Sequence, residues 1–210
     1  TDASGETKPI RIVSLSPSLT EILFAIGAGP QVVAVDSHSN YPLGTPITSL
    51  SALEPNMEAI AAFYPDLVLL SYDIGDLVKG LNTIGIETML LPAAGNFDEI
   101  IHQINKLGEK TGKQDQAEKI SADMQSRLTY LINIMEGEKS LKVYHEIDEN
   151  YYSASSSSFI GSIYKRLNMT NIADKADIEG NGYPKLSPEY ILLSNPEMMV
   201  IPSRDPKYIQ

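Results

Sequence analysis

Glu58-Ala59-Ile60-Ala61-Ala62-Phe63-Tyr64-Pro65-Asp66-Leu67-Val68-Leu69-Leu70 returns 131 residues later as Glu189-Tyr190-Ile191-Leu192-Leu193-Ser194-Asn195-Pro196-Glu197-Met198-Met199-Val200-Ile201. At that spacing Glu falls on Glu, Ile60 on Ile191, Pro65 on Pro196 and Asp66 on Glu197. Each copy reads as a short helix, an X-Pro-acidic turn and a buried apolar strand. Upstream, Ser18 to Val33 resembles Ser158 to Ala173 at a spacing of 140. In both, a Ser-led helix breaks at a short polar or Gly-containing stretch before the chain resumes. Two pairs in the same order point to a duplicated α/β unit; chance likeness of two βα units is the alternative.

Working outward, the first half alternates β-branched runs with helical patterns, which predicts a mainly parallel sheet. Strands are expected at Ile10 to Leu15, Gln31 to Val35, Leu67 to Leu70 and Glu87 to Leu91. Helices are expected from Ser16-Pro17-Ser18 to about Ile26, and over Asn56 to Phe63, Gly75 to Ile84 and Phe97 to Gly108. Ser16 stands as a cap ahead of Pro17, and Ser18 with Glu21 has capping-box spacing. From Gln114 to Glu136 the pattern changes. Ala117, Ile120, Met124, Leu128, Leu131 and Met135 recur at helical spacing between charged residues. That predicts a helix of ~30 Å, either a spine joining two units or one more helix on a single sheet.

The expected architecture is therefore α/β, with two Rossmann-like lobes of mainly parallel sheet joined by one long α-helix. The boundaries read as a flexible leader over 1–8, an N-terminal lobe over 9–112, a linking helix over 113–137 and a C-terminal lobe over 138–210. The second lobe reads as incomplete, because some forty residues follow Leu70 in the first copy and nine follow Ile201 in the second. Two such lobes would face one another across a cleft. Ligands of open α/β sheets gather beyond the carboxyl ends of the strands, so the loops there are the ligand candidates. They comprise residues 14–18, 36–41 and 71–74 in the first half, and 145–158, 183–187 and 203 onward in the second.

Composition narrows the function. A net charge of −11 with no basic stripe disfavours nucleic acid as a partner. The absence of cysteine excludes disulfides, thiolate metal sites and cysteine nucleophiles. There is no glycine-rich phosphate fingerprint, no G-x-S-x-G elbow and no H-E-x-x-H, so an enzyme is not the expectation. Three His residues, with His102 inside a helical pattern, are too few for a dedicated metal-ion site. His38 and His145 remain the alternatives for ligating a metal centre.

What the candidate loops do contain is Tyr and Ser. Tyr151-Tyr152-Ser153-Ala154-Ser155-Ser156-Ser157-Ser158 fills one loop, with Tyr183 beyond it, while His38, Tyr41 and Tyr72 serve the other half. Tyr presents a broad apolar face with a polar tip, suited to a macrocycle or an aromatic chelate. Lys185 and Arg204 are nearly the only cations there, which favours a bulky, near-neutral ligand over an anionic siderophore.

Arg11-Ile12-Val13-Ser14-Leu15-Ser16-Pro17-Ser18-Leu19-Thr20-Glu21 followed by Gly27 resembles the opening of class III periplasmic substrate-binding proteins of ABC importers. Pro65-Asp66-Leu67-Val68, Leu81 to Ile86 and Ser158-Phe159-Ile160-Gly161 fit the same pattern. That group serves cobalamin, iron-siderophore and haem uptake, and the cobalamin-binding members are the nearest in pattern. The resemblance implies two lobes bridged by a rigid helix, with limited hinge motion. It further implies a monomer outside the cytoplasm, with a lipoprotein anchor as one option, that binds a transported ligand and holds no cofactor of its own. A Glu on each lobe docks the membrane permease in the cobalamin binders, and the matching positions are Glu58 and Glu189. Both Glu also suit a helix first turn on dipole grounds alone. Family members often set Trp against the corrin; this chain has no Trp, and His38 stands where an aromatic is expected. Haem or siderophore binding, or a ligand-sensing domain of the same fold, are the alternatives.

Overall fold

The computed structural model describes residues 9–202; the leader over 1–8, the loop from Ser203 onward and Arg204 lie outside the described residues. The chain divides into two compact units. One runs through Ala93 and includes Ile101–Ala122; the other takes Ala94–Ile100 and the chain from Asp123.

The first unit is built on five parallel strands, β1 (Ile12–Leu15), β2 (Val32–Asp36), β3 (Ile47–Leu50), β4 (Leu67–Leu70) and β5 (Glu87–Leu90). Their order is β3-β2-β1-β4-β5. β1 and β4 lie at the centre and are apolar on both faces, as a sheet covered on both sides requires. Val13, Leu15, Val68 and Leu70 pack with Ile60 of α2 (Met57–Ala61) and with Leu77 and Leu81 of α3 (Leu77–Thr83). Ile12, Leu67 and Leu69 alternate to the opposite face and are as deeply buried. α1 (Pro17–Ala25) follows β1 directly. Ser16, not Ser18, is its cap, accepting from the Leu19 N–H, while Ser18 Oγ turns back to Ser16 Oγ at 3.2 Å. Pro17 sits at the first helical position, where its missing N–H is harmless. α4 spans Phe97–Thr111, and its part from Ile101 onward belongs to this unit.

α5 (Gln114–Met135) is 22 residues long, about 33 Å at the α-helical rise. Its stripe is buried at Ala117, Ser121 and Leu128, whereas Leu131 and Ile134 are about half exposed. No described helix is long and apolar enough to cross a membrane.

The second unit holds three parallel strands, β6 (Lys142–His145), β7 (Thr170–Asn171) and β8 (Met198–Val200), in the order β7-β6-β8. Its helices are α6 (Phe159–Arg166) and α7 (Pro188–Ser194). Tyr144, Ile172, Ala173, Leu186 and Ile191 form its core.

The two sheets repeat one another in atomic detail. Ile12 pairs with Leu67, and Val143 pairs with Met198, both partners displaced by 131. The Arg11 N–H donates to Asp66 Oδ2 at 2.7 Å, and the Lys142 N–H donates to Glu197 Oε2 at 3.1 Å. Arg11 also donates through its guanidinium to the Phe63 and Tyr64 carbonyls, and Lys142 Nζ to the Ser194 carbonyl. Tyr64 and Asn195 both take the left-handed conformation at the helix end, φ 49 and 48. Thus the acidic residue of each X-Pro-acidic turn holds the amide at the head of the central strand. The basic residue there binds carbonyls at or just past the end of the preceding helix.

The symmetry breaks between these matched elements, most at one loop. The caps of α1 and α6, Ser16 and Ser158, are 142 apart, while the strands before them are 131 apart. The difference is eleven additional residues between β6 and α6. The equivalents of β2 and β7, Val32 and Asn171, are 139 apart. The stretch before the next helix is therefore shorter in the second unit, and β3 has no counterpart among the described residues.

Candidate functional site

Because every strand in each sheet is parallel, the loops that leave their carboxyl ends share one edge. In the first unit a hydroxyl network ties two of these loops together. Ser71 Oγ, after β4, donates to Ser16 Oγ at 2.7 Å, and Thr20 Oγ1 donates to Ser14 Oγ at 2.8 Å. Ser14, Ser16 and Thr20 are buried, so they orient the backbone at this edge. His38 and Tyr41 follow β2, and Tyr72 follows β4. Tyr41 is 64% exposed and Tyr72 44%; His38 is exposed, its Nδ1 3.4 Å from Ser37 Oγ. The structure places these three on one edge without a hydrogen bond or ring contact among them.

In the second unit the additional loop folds back on itself. The Ile147 N–H donates to the Tyr152 carbonyl at 2.7 Å, and the Ala154 N–H to the His145 carbonyl at 3.1 Å. Asp148 Oδ1 accepts from the Asn150 N–H, closing an Asx turn that leaves Tyr151 left-handed at φ 66. The loop then pairs with the segment before α7: the Ser153 N–H donates to Pro184, the Ser155 N–H to Gly182 and the Leu186 N–H to Tyr151. Tyr152 faces Lys185 in an antiparallel bridge, with Lys185 Nζ 5.7 Å from the ring centroid. So Tyr151, Tyr152 and Tyr183 are carried by two loops that brace one another, each ring between about a third and a half exposed.

Ser155, Ser156 and Ser158 of this loop are structural. Ser155 Oγ donates to Asp177 Oδ2 at 2.5 Å, and the Gly182 N–H reaches the same oxygen at 3.1 Å. These bonds, led by the Ser155 hydroxyl, hold the Asp177 carboxyl below its ordinary value. Ser156 binds Asp174 through both its N–H and its hydroxyl. Ser158 caps α6 by accepting from the Gly161 N–H and donates its own proton to the Ser155 carbonyl.

His145, at the end of β6, is half-buried with Nδ1 2.8 Å from the Tyr164 hydroxyl. Burial lowers its pKa and raises that of Tyr164. Tyr164 thus occupies one of its two ring nitrogens. His102 is exposed on α4. No group of three or more His, Asp or Glu placed to hold a metal ion occurs among the described residues.

Glu58 and Glu189 occupy the same place in their helices. Each is the second residue after a side-chain cap, Asn56 accepting from Ala59 N–H and Ser187 from Tyr190 N–H. Both are exposed. Glu58 also borders an open hollow of about 840 Å³ with Leu53, Met57, Ile74 and Asp76. What the sequence alone did not disclose is the bracing segment before α7 and the acids that lock the serine run.

The model of the family described as periplasmic binding protein matches residues 12–209. The chain belongs to the periplasmic binding protein family. Among relatives of this periplasmic binding protein, an uncharacterized ABC transporter substrate-binding lipoprotein of Bacillus subtilis is 27% identical over 209 residues, 95% of this chain and 65% of that protein. A cobalamin-binding protein of Halobacterium salinarum is 29% identical over 203 residues, 93% of this chain and 54% of that protein. The chain thus spans between half and two thirds of the length of these curated relatives. A crystal structure described as a possible iron-binding (periplasmic solute-binding) protein from Staphylococcus epidermidis superposes with a TM-score of 0.74 at 26% identity, covering 92% of this chain and 77% of that one. The α/β class with parallel sheets and a long helix, expected from the sequence, is the fold of this family.

Proposed function

We propose that this periplasmic binding protein is the extracytoplasmic solute-binding component of an ABC importer, without catalytic activity, and that its cargo is a corrinoid of the cobalamin type. The observation that carries this reading is the set of partly exposed tyrosines at the carboxyl edges of the two sheets: Tyr41, Tyr72, Tyr151, Tyr152 and Tyr183. Aromatic faces with polar tips favour a broad, flat, amide-rimmed ring system. His38 joins them as a polar contact. The Halobacterium relative's name supports a corrinoid. The Staphylococcus structure, described as a possible iron-binding protein, favours a second reading, an iron chelate on the same loops, of which haem is one kind.

Glu58 and Glu189 are the permease-docking residues in this proposal. Their identical helix positions would present one carboxylate from each unit to arginines of a membrane partner. Titration calorimetry of the full-length protein with cyanocobalamin, haemin and a ferric siderophore tests the cargo; tight one-to-one corrinoid binding is expected, and binding of only an iron ligand would replace it. For docking, Glu58→Ala with Glu189→Ala should abolish uptake in reconstituted vesicles while leaving affinity in solution within about twofold. Loss of soluble binding in that double variant would refute the docking role.

A further inference from the structure

Among the described residues, Lys185 is the one cation built into the tyrosine-bearing loops of the second unit. Its position is fixed by backbone pairing on both sides. The Pro184 carbonyl accepts from the Ser153 N–H at 3.0 Å, and the Leu186 N–H donates to the Tyr151 carbonyl at 3.0 Å. The bridge to Tyr152 lays the ammonium 5.7 Å from that ring's centroid. A surface lysine on a free loop has no such constraint.

Four acids in or beside the same loops are turned to other work. Asp148 accepts from the amides of Asn150 and Tyr152, Asp174 holds Ser156, and Asp177 holds Ser155 and Gly182. Tyr144 donates its hydroxyl to the buried Glu146. None of them forms an ion pair with Lys185, which has no carboxylate partner among the described residues. A cation held over an exposed aromatic ring, with no ion pair to any acid of its own loops, is arranged to meet an anion brought by something else.

We infer that Lys185 determines specificity by pairing with an anionic substituent of the ligand whose flat ring system lies on the tyrosines. The inference rests on the proposed reading of those loops as ligand-binding. Two ligand chemistries supply the anion: the phosphodiester of a corrinoid's nucleotide loop, or the propionate carboxylates of a haem. A corrinoid without the nucleotide loop, such as dicyanocobinamide, offers the ring and lacks the phosphodiester.

The test is calorimetric titration of the full-length protein and its Lys185→Gln and Lys185→Arg variants with cyanocobalamin, dicyanocobinamide and haemin, each at two salt concentrations. Circular dichroism first verifies that the variants fold as the parent does. The expected result is a loss of roughly tenfold or more in affinity for the anion-bearing ligand in Lys185→Gln, with a flatter salt dependence and rescue by Lys185→Arg. Cobinamide binding should stay within about twofold. A loss confined to cyanocobalamin identifies the phosphodiester, and one confined to haemin the carboxylates. Unchanged affinities in Lys185→Gln overturn the inference while leaving the corrinoid reading standing. An equal loss for cobinamide overturns it too, since that marks a role in bracing Tyr152. If the parent protein binds none of the three, the cargo reading fails and this inference falls with it.

Discussion

Gly161 shows how tightly the serine loop is wrapped on α6. A Cβ at this position would sit 1.8 Å from the Ser155 carbonyl oxygen, because Ser158 draws that carbonyl over the helix's first turn. Backbone cannot retreat as a side chain can. Gly161→Ala should therefore cost about 3 kcal/mol, read from the denaturation midpoint, and disturb the loop that carries Tyr151 and Tyr152. Gly80, within α3, is the contrast. Its added Cβ would meet only the flexible Met57 Sδ, at 3.0 Å, and its φ is not in the left-handed region. Gly80→Ala should leave the midpoint unchanged or raise stability by about 0.5 kcal/mol, as a helix interior gains from Ala. In sequence, Ser158-Phe159-Ile160-Gly161 reads as a helix start, and Ser158 is indeed the cap. The need for Gly was not legible, since the clash comes from a carbonyl that only the folded loop brings near.

At the level of elements, the paired latches explain why the repeat is so regular in its turns. Asp66 takes the first amide of the central strand's approach, Arg11 takes the carbonyls of Phe63 and Tyr64 in the turn after α2, and Glu197 and Lys142 hold the equivalent junction in the second sheet. Removing the acceptor by Asp66→Ala should destabilise the protein by about 1 kcal/mol, a modest figure because the bond is exposed to solvent. Chemical denaturation would measure it; a change indistinguishable from a neutral surface substitution would mean that Arg11 alone holds the junction. Leu67–Leu70, Glu87–Leu90 and α5 were readable from apolar runs and period. β3 was not: Ile47-Thr48-Ser49-Leu50 is a four-residue edge strand with Ile47 half exposed, so it has neither the length nor the apolar density of a buried strand. The tyrosines could be assigned to strand-end loops from sequence. The pairing of 151–155 with 182–186 could not, because it joins segments about thirty residues apart with no shared pattern.

Across the whole molecule, protection should follow burial of the strands. β1 and β4 are at most 2% exposed at every residue, save none, whereas β8 is only partly covered, with Met199 54% exposed. Amide exchange followed by mass spectrometry should find the slowest amides in β1 and β4, and faster exchange in β8. The reverse order would mean that the second sheet, not the first, is the more stable core. The eleven additional residues between β6 and α6 are anchored by their own turn, by the segment before α7 and by two aspartates, while the latches that hold each sheet lie at the opposite ends of the strands. On the proposed reading of these loops, recognition and scaffold are written into separate parts of the chain. If so, a stretch of this kind should be transplantable as a cassette together with its bracing partner at 182–186, and a change of cargo could proceed there while the framework stays as it is.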